Sequence, residues 1–299
     1  MPETTSPQTV LPTSDLAFKK ILASNDHKTV TQGFIKDFFG VHVEVDDIHI
    51  VNPYSIHAYR EAAENGTYPV LRETLRDTTF ALSVADMTVE MQLRPQSTFL
   101  YRGFFYMGEV FRQGYNKLAH QHAGDRYGGL RAVWVADLVD GALFDDDLAF
   151  RMLEPYDPAR RVGVTPEVFR WGVFEMTKPG APPQLARWRD FLRSGKVGDG
   201  DPAYLREAAS IIDNANMTQE ERDMISAQER YEADRQTDLY YAEQGGITKG
   251  IEQGALETKL ANARSALRHG LSRADVADII GLDAATVDQL ADELGVLVA

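Results

Sequence analysis

Glu90 and Gln92 lie two residues apart in ThrValGluMetGlnLeu, Thr88 to Leu93, where the alternate positions are valine, methionine and leucine. A strand has a side-chain period of two, so the apolar three face one way and Thr88, Glu90 and Gln92 the other. Upstream, Phe80, Leu82 and Val84 define an apolar face, and Asp77 and Thr79 the opposite one. Folded as a hairpin with both apolar faces together, the two segments put Asp77, Glu90 and Gln92 on one side. Two carboxylates beside an amide suit Mg²⁺, which takes oxygen ligands, keeps several waters and completes its shell with substrate phosphate. Register decides whether Asp77 and Glu90 share one ion. The tightest hairpin, turning at Ala85 and Asp86, sets Ala81 opposite Glu90 and leaves Asp77 roughly 13 Å away along the strand. A longer loop or a bulge brings the two carboxylates together, and pattern alone does not choose.

The flanking segments add to these residues. SerAspLeuAlaPheLysLysIleLeu, Ser14 to Leu22, precedes them, and PheLeuTyrArgGlyPhePheTyrMetGlyGluValPheArgGlnGlyTyr, Phe99 to Tyr115, follows. In this order, with Asp77 and Glu-Met-Gln between, the segments resemble the Rpn family of recombination-promoting nucleases, also described as PD-(D/E)XK nuclease family transposases. The similarity runs from about Thr13 to Met176, and the Gly-Ile repeat tail with its terminal helical module is similar too. The resemblance implies an α/β, restriction-endonuclease-like mixed sheet flanked by helices, with an α-helical C-terminal tail. It also implies a metal-dependent DNA endonuclease associated with recombination or mobile elements, with DNA as its partner and Mg²⁺ or another divalent cation as its cofactor.

Carried over by position, the resemblance makes Asp77 and Glu90 the metal ligands and Asp15 an additional acidic residue of the site. Lys19, one turn after Asp15, is implied as a phosphate contact, and Arg102 and Tyr106, one turn apart, as holders of the DNA backbone. Gln92 stands where the wider superfamily has lysine, as in the family itself. Lysine stabilises developing negative charge or helps activate water, whereas glutamine orients water or lends a carbonyl oxygen to the metal. Hydrolysis would then rely on the metal more than on a side-chain base.

Each residue also has a plainer role. A glutamate on a strand face is usually solvated, Asp77 at a strand start closes turns, Lys19 pairs with Asp15 at i,i+4, and Arg102 in so aromatic a helix stacks on a ring. The alternative from another class is a catalytically silent DNA-binding or mobile-element accessory protein with the same fold.

Composition narrows the field further. The 299 residues are 43% hydrophobic with 10% aromatic residues, enough for one substantial core with appendages, and there are no cysteines. Disulfides and thiolate metal sites are therefore excluded, and a cytoplasmic protein without a membrane partner is expected. Net charge is −14, but residues 201–299 hold 19 acids against 9 bases and account for −10 of it. The near-neutral remainder has room for a local basic patch, so the whole-chain charge does not rule out DNA.

The pattern predicts a helix from Asp15 capped by Ser14, a second from Lys28 to Phe39 stopped at Gly40, strands over 43–51 and 78–93, and a helix from Phe99 to Leu118. Buried strands are expected at Arg131–Val139 and Arg170–Met176. A nuclease-like domain spans 1–180 in this reading, closed by the breaker cluster Pro179–Pro183, followed by a helical linker region over 181–245 and a Gly-repeat helix with a small helix-turn-helix-like module over 246–299. Gly246, Gly250 and Gly254 fall on one helix face, which indicates close helix packing or a weak, hinge-like helix. Ser272 and Asp283 are expected to cap the two terminal helices. The second of these carries Asp288, Asp292 and Glu293 but no lysine or arginine. Packing, or a homo-oligomer formed through the C-terminal helices, fits it better than a DNA groove. AspAspAsp at 145–147 reads as a solvated loop, and the histidines show no metal-site spacing.

Overall fold

The computed structural model describes residues 10–64, 78–92, 98–121, 127–164, 166–213 and 216–295. It divides into two compact units, residues 1–229 and 230–299.

The first unit opens with α1 (Asp15–Leu22) and α2 (Lys28–Phe39). Ser14 caps α1 by accepting a hydrogen bond from the Ala17 N–H at 3.4 Å, and Asp15 lies in the first turn, where a carboxylate complements the helix dipole. Gly40 ends α2 at φ +69°, a left-handed conformation that favours glycine, with its N–H on the Lys36 carbonyl. The next segment departs from the expected strand over 43–51. Val45–Asp47 forms a 3₁₀ turn, with the Asp47 N–H on the Glu44 carbonyl, and β1 (His49–Ile50) holds only two residues. Two adjacent aspartates favour the turn over extension there.

Beyond α3 (Ile56–Glu64) come β2 (Thr78–Ala81), β3 (Ala85–Gln92), α4 (Phe99–Gln121) and β4 (Ala132–Val139). After β5 (Phe150–Leu153), the short pair β6 (Tyr156–Asp157) and β7 (Val162–Gly163) and then β8 (Phe169–Glu175) complete the strands among the described residues. The six-stranded sheet has the order β1-β2-β3-β4-β8-β5. Its centre, β3-β4-β8, is parallel, and β1, β2 and β5 pair antiparallel at the edges. Central parallel strands covered on both faces read as nearly continuous apolar runs, which AlaValTrpValAlaAspLeuVal in β4 does except at Asp137.

The β2–β3 hairpin pairs Ala81 with Asp86 and Thr78 with Val89, and the Leu82 N–H bonds to the Ala85 carbonyl. The chain thus turns at Ser83 and Val84, not at Ala85 and Asp86. Ala81 does not face Glu90, and Val84 is exposed in the turn instead of joining Phe80 and Leu82 in the core.

The two faces of the sheet hold separate cores. Met87, Val89, Met91, Trp134, Ala136, Leu138 and Phe174 pack against α1, α2, α5 (Pro183–Ser194) and α6 (Ala203–Ile211). Val133, Val135, Val139, Trp171 and Val173 pack under Phe99, Met107, Val110 and Phe111 of α4. At Pro179–Pro183 the chain leaves the strands and begins α5, whose first residue is Pro183, and α5 and α6 bury their apolar stripes in the same core as α1.

Helix α7 (Gln219–Arg268) starts in the first unit, where Thr218 and Glu221 form a reciprocal capping box at 2.8 and 3.2 Å. Lys20 and the Tyr54 hydroxyl also reach the Glu221 carboxylate. The second unit holds the rest of α7 with α8 (Arg273–Ile280) and α9 (Ala284–Leu294), joined by an apolar cluster that includes Leu267, Val276, Val287 and Leu290. Ser272 and Asp283 cap α8 and α9 as expected. Gly246, Gly250 and Gly254 meet nothing within 4 Å among the described residues, so of the two readings, close helix packing and a weak, hinge-like helix, the first is not seen there. The acids of α9 are used internally, with Arg273 of α8 bonded to Asp288 and Asp292. Among the described residues, no helix is long and apolar enough to cross a membrane.

Candidate functional site

Parallel pairing of β3, β4 and β8 carries polar side chains into rows. Thr88 aligns with Val135 and Trp171, Glu90 with Asp137 and Val173, and Gln92 with Val139 and Glu175. Residues aligned across a sheet share a face, and Val135, Val139 and Trp171 belong to the core under α4. Glu90, Gln92, Asp137 and Glu175 therefore point to the α4 side, near the carboxyl ends of the three central strands. Arg151 on β5 aligns with Val173 and extends the Glu90 row to the sheet edge.

Within this band Gln92 Nε2 donates to Glu90 Oε1. The Arg102 guanidinium stands 3.9 Å from the same oxygen and 5.8 Å from the Tyr106 ring centre. Four sequence candidates, Glu90, Gln92, Arg102 and Tyr106, are thus brought together where α4 crosses β3. Asp137 was not singled out from sequence. It is 2% exposed, and its Oδ2 accepts a 2.6 Å hydrogen bond from the Trp171 indole N–H. A carboxylate buried this deeply needs such donors. Its signal was available: one aspartate inside an otherwise apolar strand. Gly103 makes the arrangement possible, because a Cβ there would run into the Trp171 ring.

Glu175 is likewise a find of the structure. The N–H groups of Leu143 and Phe144 donate to its Oε1 at 2.5 and 3.1 Å, and Lys178 Nζ to Oε2 at 2.9 Å. Burial raises its proton affinity, but these donors outweigh burial and hold the carboxyl below its ordinary range. Arg151 and Lys178 also engage Asp146, whose pKa falls to about 2, chiefly through the Arg151 hydrogen bond. The expected solvated loop at 145–147 is therefore tied down by two cations through its central aspartate. These groups fasten the loop after β4 to the end of β8.

The remaining candidates are placed differently. Asp15 and Lys19 belong to α1, which packs into the core on the other face of the sheet. Lys19 is 3% exposed, whereas a phosphate contact requires a cation presented to solvent. Asp77 lies outside the described residues. Its chain neighbour Thr78 pairs with Val89, the residue before Glu90, so the hairpin lacks the four-residue offset of the tightest turn. Among the described residues, no three His, Asp or Glu side chains gather as a metal-holding group. The Mg²⁺ expectation therefore rests on Glu90 and its neighbours together with Asp77. Under the other half of α4, a cleft of about 240 Å³ is lined mainly by apolar groups such as Val110, Phe111 and Val133. Its polar feature is the Arg131–Asp86 pair at 3.3 Å, and it does not include Glu90.

No family model, curated protein or solved structure matches this chain.

Proposed function

We propose that the protein is a metal-dependent endodeoxyribonuclease with a restriction-endonuclease-like first unit, and that Glu90 is a ligand of its Mg²⁺. The observation that carries this reading is the position of Glu90 and Gln92. They lie at the carboxyl end of a central strand, aligned with a second carboxylate, Asp137, and covered by Arg102. A purely structural sheet face buried under a helix has no use for this set, since each buried polar group is costly unless satisfied. The oxygen donors suit a hard cation, and the motifs around them resemble the Rpn nucleases.

Bound there, the ion would lower the pKa of a water and stabilise charge on the attacked phosphodiester. The chain's own residues serve that chemistry in distinct ways. Glu90 now shares its Oε1 between Gln92 and Arg102. With Glu90 held to a cation, the Arg102 guanidinium would be left to hold a phosphate oxygen. Gln92, whose amide has a carbonyl oxygen as well as the N–H now given to Glu90, would help hold the ion or orient its water. Tyr106 holds the guanidinium by its ring face. Asp77 is the proposed second ligand.

The test is plasmid nicking with Mg²⁺, Mn²⁺ or EDTA, run beside folded Glu90→Ala and Asp77→Ala proteins. Metal-dependent nicking lost in both variants supports the reading. Equal nicking by all three sinks it, and DNA binding without nicking favours the silent DNA-binding accessory protein. The ion pair already present between Glu90 and Arg102 is the observation on that side.

A further inference from the structure

Helix α4 turns its inner face to the sheet and leaves an outer face of a different kind. Tyr101 is 79% exposed, Phe105 69% and Phe104 61%. Tyr101 and Phe105 are i,i+4 neighbours, stacked along one stripe, with Phe104 beside them. Gly108 continues that stripe with open space above it. The rings are held in place: Phe104 meets Trp171 edge-on at 5.2 Å, and Phe105 meets Tyr106 at 5.7 Å. Large aromatic side chains exposed on a soluble chain mark a surface with a partner.

Charge and position select the partner. In a chain of net charge −14, α4 carries Arg102, Arg112 and Lys117 against the single acid Glu109; Arg112 is paired with Glu109 at 2.6 Å and Arg102 stands 3.9 Å from Glu90, so the helix's own charges leave a modest excess of cations of the sign a polyanion needs. The aromatic stripe also begins beside Arg102, the residue that covers Glu90. In a duplex the faces of the bases are hidden by stacking, and only edges and backbone reach a protein. Exposed rings next to cations instead match the platforms on which unpaired bases stack. We infer that Tyr101, Phe104 and Phe105 form a stacking platform for an unpaired DNA strand led to the Glu90 site. This rests on the nuclease reading for the identity of the site, and it adds that the substrate has single-stranded character.

The experiment is fluorescence anisotropy of full-length protein in EDTA, so that no strand is cut, with three probes: a labelled 20-nucleotide thymidine strand, an abasic strand of equal length, and a duplex. The abasic strand keeps the phosphates and removes the stacking partners. The thymidine strand should bind tighter than the abasic one by roughly tenfold or more, as stacking of even one base provides. Tyr101→Ala with Phe105→Ala should erase that preference while leaving abasic binding unchanged, and Tyr101→Phe should retain it. Both alanine sites are exposed, so circular dichroism should be unaltered. Equal binding of the two strands, or a preference that survives the double variant, overturns the platform. So does a wild-type dimer in sedimentation that the double variant dissolves, since a second copy would then occupy the face. Strand preference without nicking in Mg²⁺ sinks the nuclease reading and keeps the platform. Nicking without strand preference does the reverse.

Discussion

The two faces of the central sheet are built from alternate residues of the same strands, yet they have opposite characters. The face under α1, α2, α5 and α6 is mostly apolar, with Phe34, Phe38 and Trp188 interlocked at ring distances near 5.2 Å, and the polar groups buried on that side, such as Lys19, Thr31 and Thr78, are scattered instead of gathered in a row. The face under α4 is apolar only for its first part and polar where the strands end, and α4 itself shows aromatic rings to solvent. One covering layer buries mostly apolar groups, while the other also encloses Glu90, Gln92, Asp137 and Glu175 where the strands end. The difference teaches where to look for chemistry, because a side chain kept at a cost to folding is kept for another reason.

Substitutions can break or sharpen this contrast. Phe34→Ala on the mostly apolar face should cost about 3–5 kcal/mol, the usual loss for a large aromatic removed from a packed core. Glu90→Ala should cost less than about 1 kcal/mol while abolishing nicking. Denaturant unfolding of both proteins decides this, and comparable losses would make the polar band a structural element.

Closest approach is the next test. Gly103→Ala drives a methyl group into the Trp171 ring, and Gly172→Ala drives one into Phe38 on the other face. Each should lose about 1–3 kcal/mol by overpacking. Gly103→Ala alone should also disturb the near-ultraviolet circular dichroism of Trp171 and the Glu90 site. Asp137→Ala leaves the buried indole N–H of Trp171 without its acceptor, an expected loss of about 1–3 kcal/mol. Asp137→Asn keeps an acceptor there and should recover most of that stability, and if it does not, the charge itself is needed.

The smallest expected effect is on pH dependence. Burial would raise the Glu221 pKa, but Lys20, Tyr54 and the Thr218 N–H outweigh it and hold the group below the ordinary 4.5. The same direction holds for Glu175. A carboxyl with a depressed folded pKa stabilises the protein above its ordinary value, and that contribution disappears as pH falls through the lowered one. The melting temperature should therefore stay level above about pH 5 and fall below it. Glu221→Gln should flatten the fall, and an unchanged acid limb would show that this network contributes nothing measurable. Tyr54 donates to Glu221, and its own pKa is raised, chiefly by burial, so its contribution persists into alkaline solution.

Much of the scaffold was legible in local pattern. The Ser14, Ser272 and Asp283 caps, the stop at Gly40 and the strand at Arg131–Val139 follow from side-chain oxygens, left-handed glycine and apolar runs, all of which act within a few residues. Other features depended on rival local forces. The 3₁₀ turn at Val45–Asp47 displaced a strand because adjacent aspartates favour turning, and the exposure of Val84 followed from a turn two residues earlier than the tightest alternative.

By itself, then, the sequence determined that Glu90 and Gln92 share one side of a strand, since a period of two is a property of a single segment. It also set the caps at Ser14, Ser272 and Asp283 and the stop at Gly40 from nearest neighbours. Only the tertiary structure decided that this side also carries Asp137 and Glu175, that Arg102 covers it, and that α1 with Asp15 and Lys19 belongs to the opposite layer. Those relations depend on the register of parallel strands whose paired residues are 36 and 47 positions apart in the chain and on which sheet face each helix buries. They are settled by packing the whole core at once, and no short window of sequence contains that information.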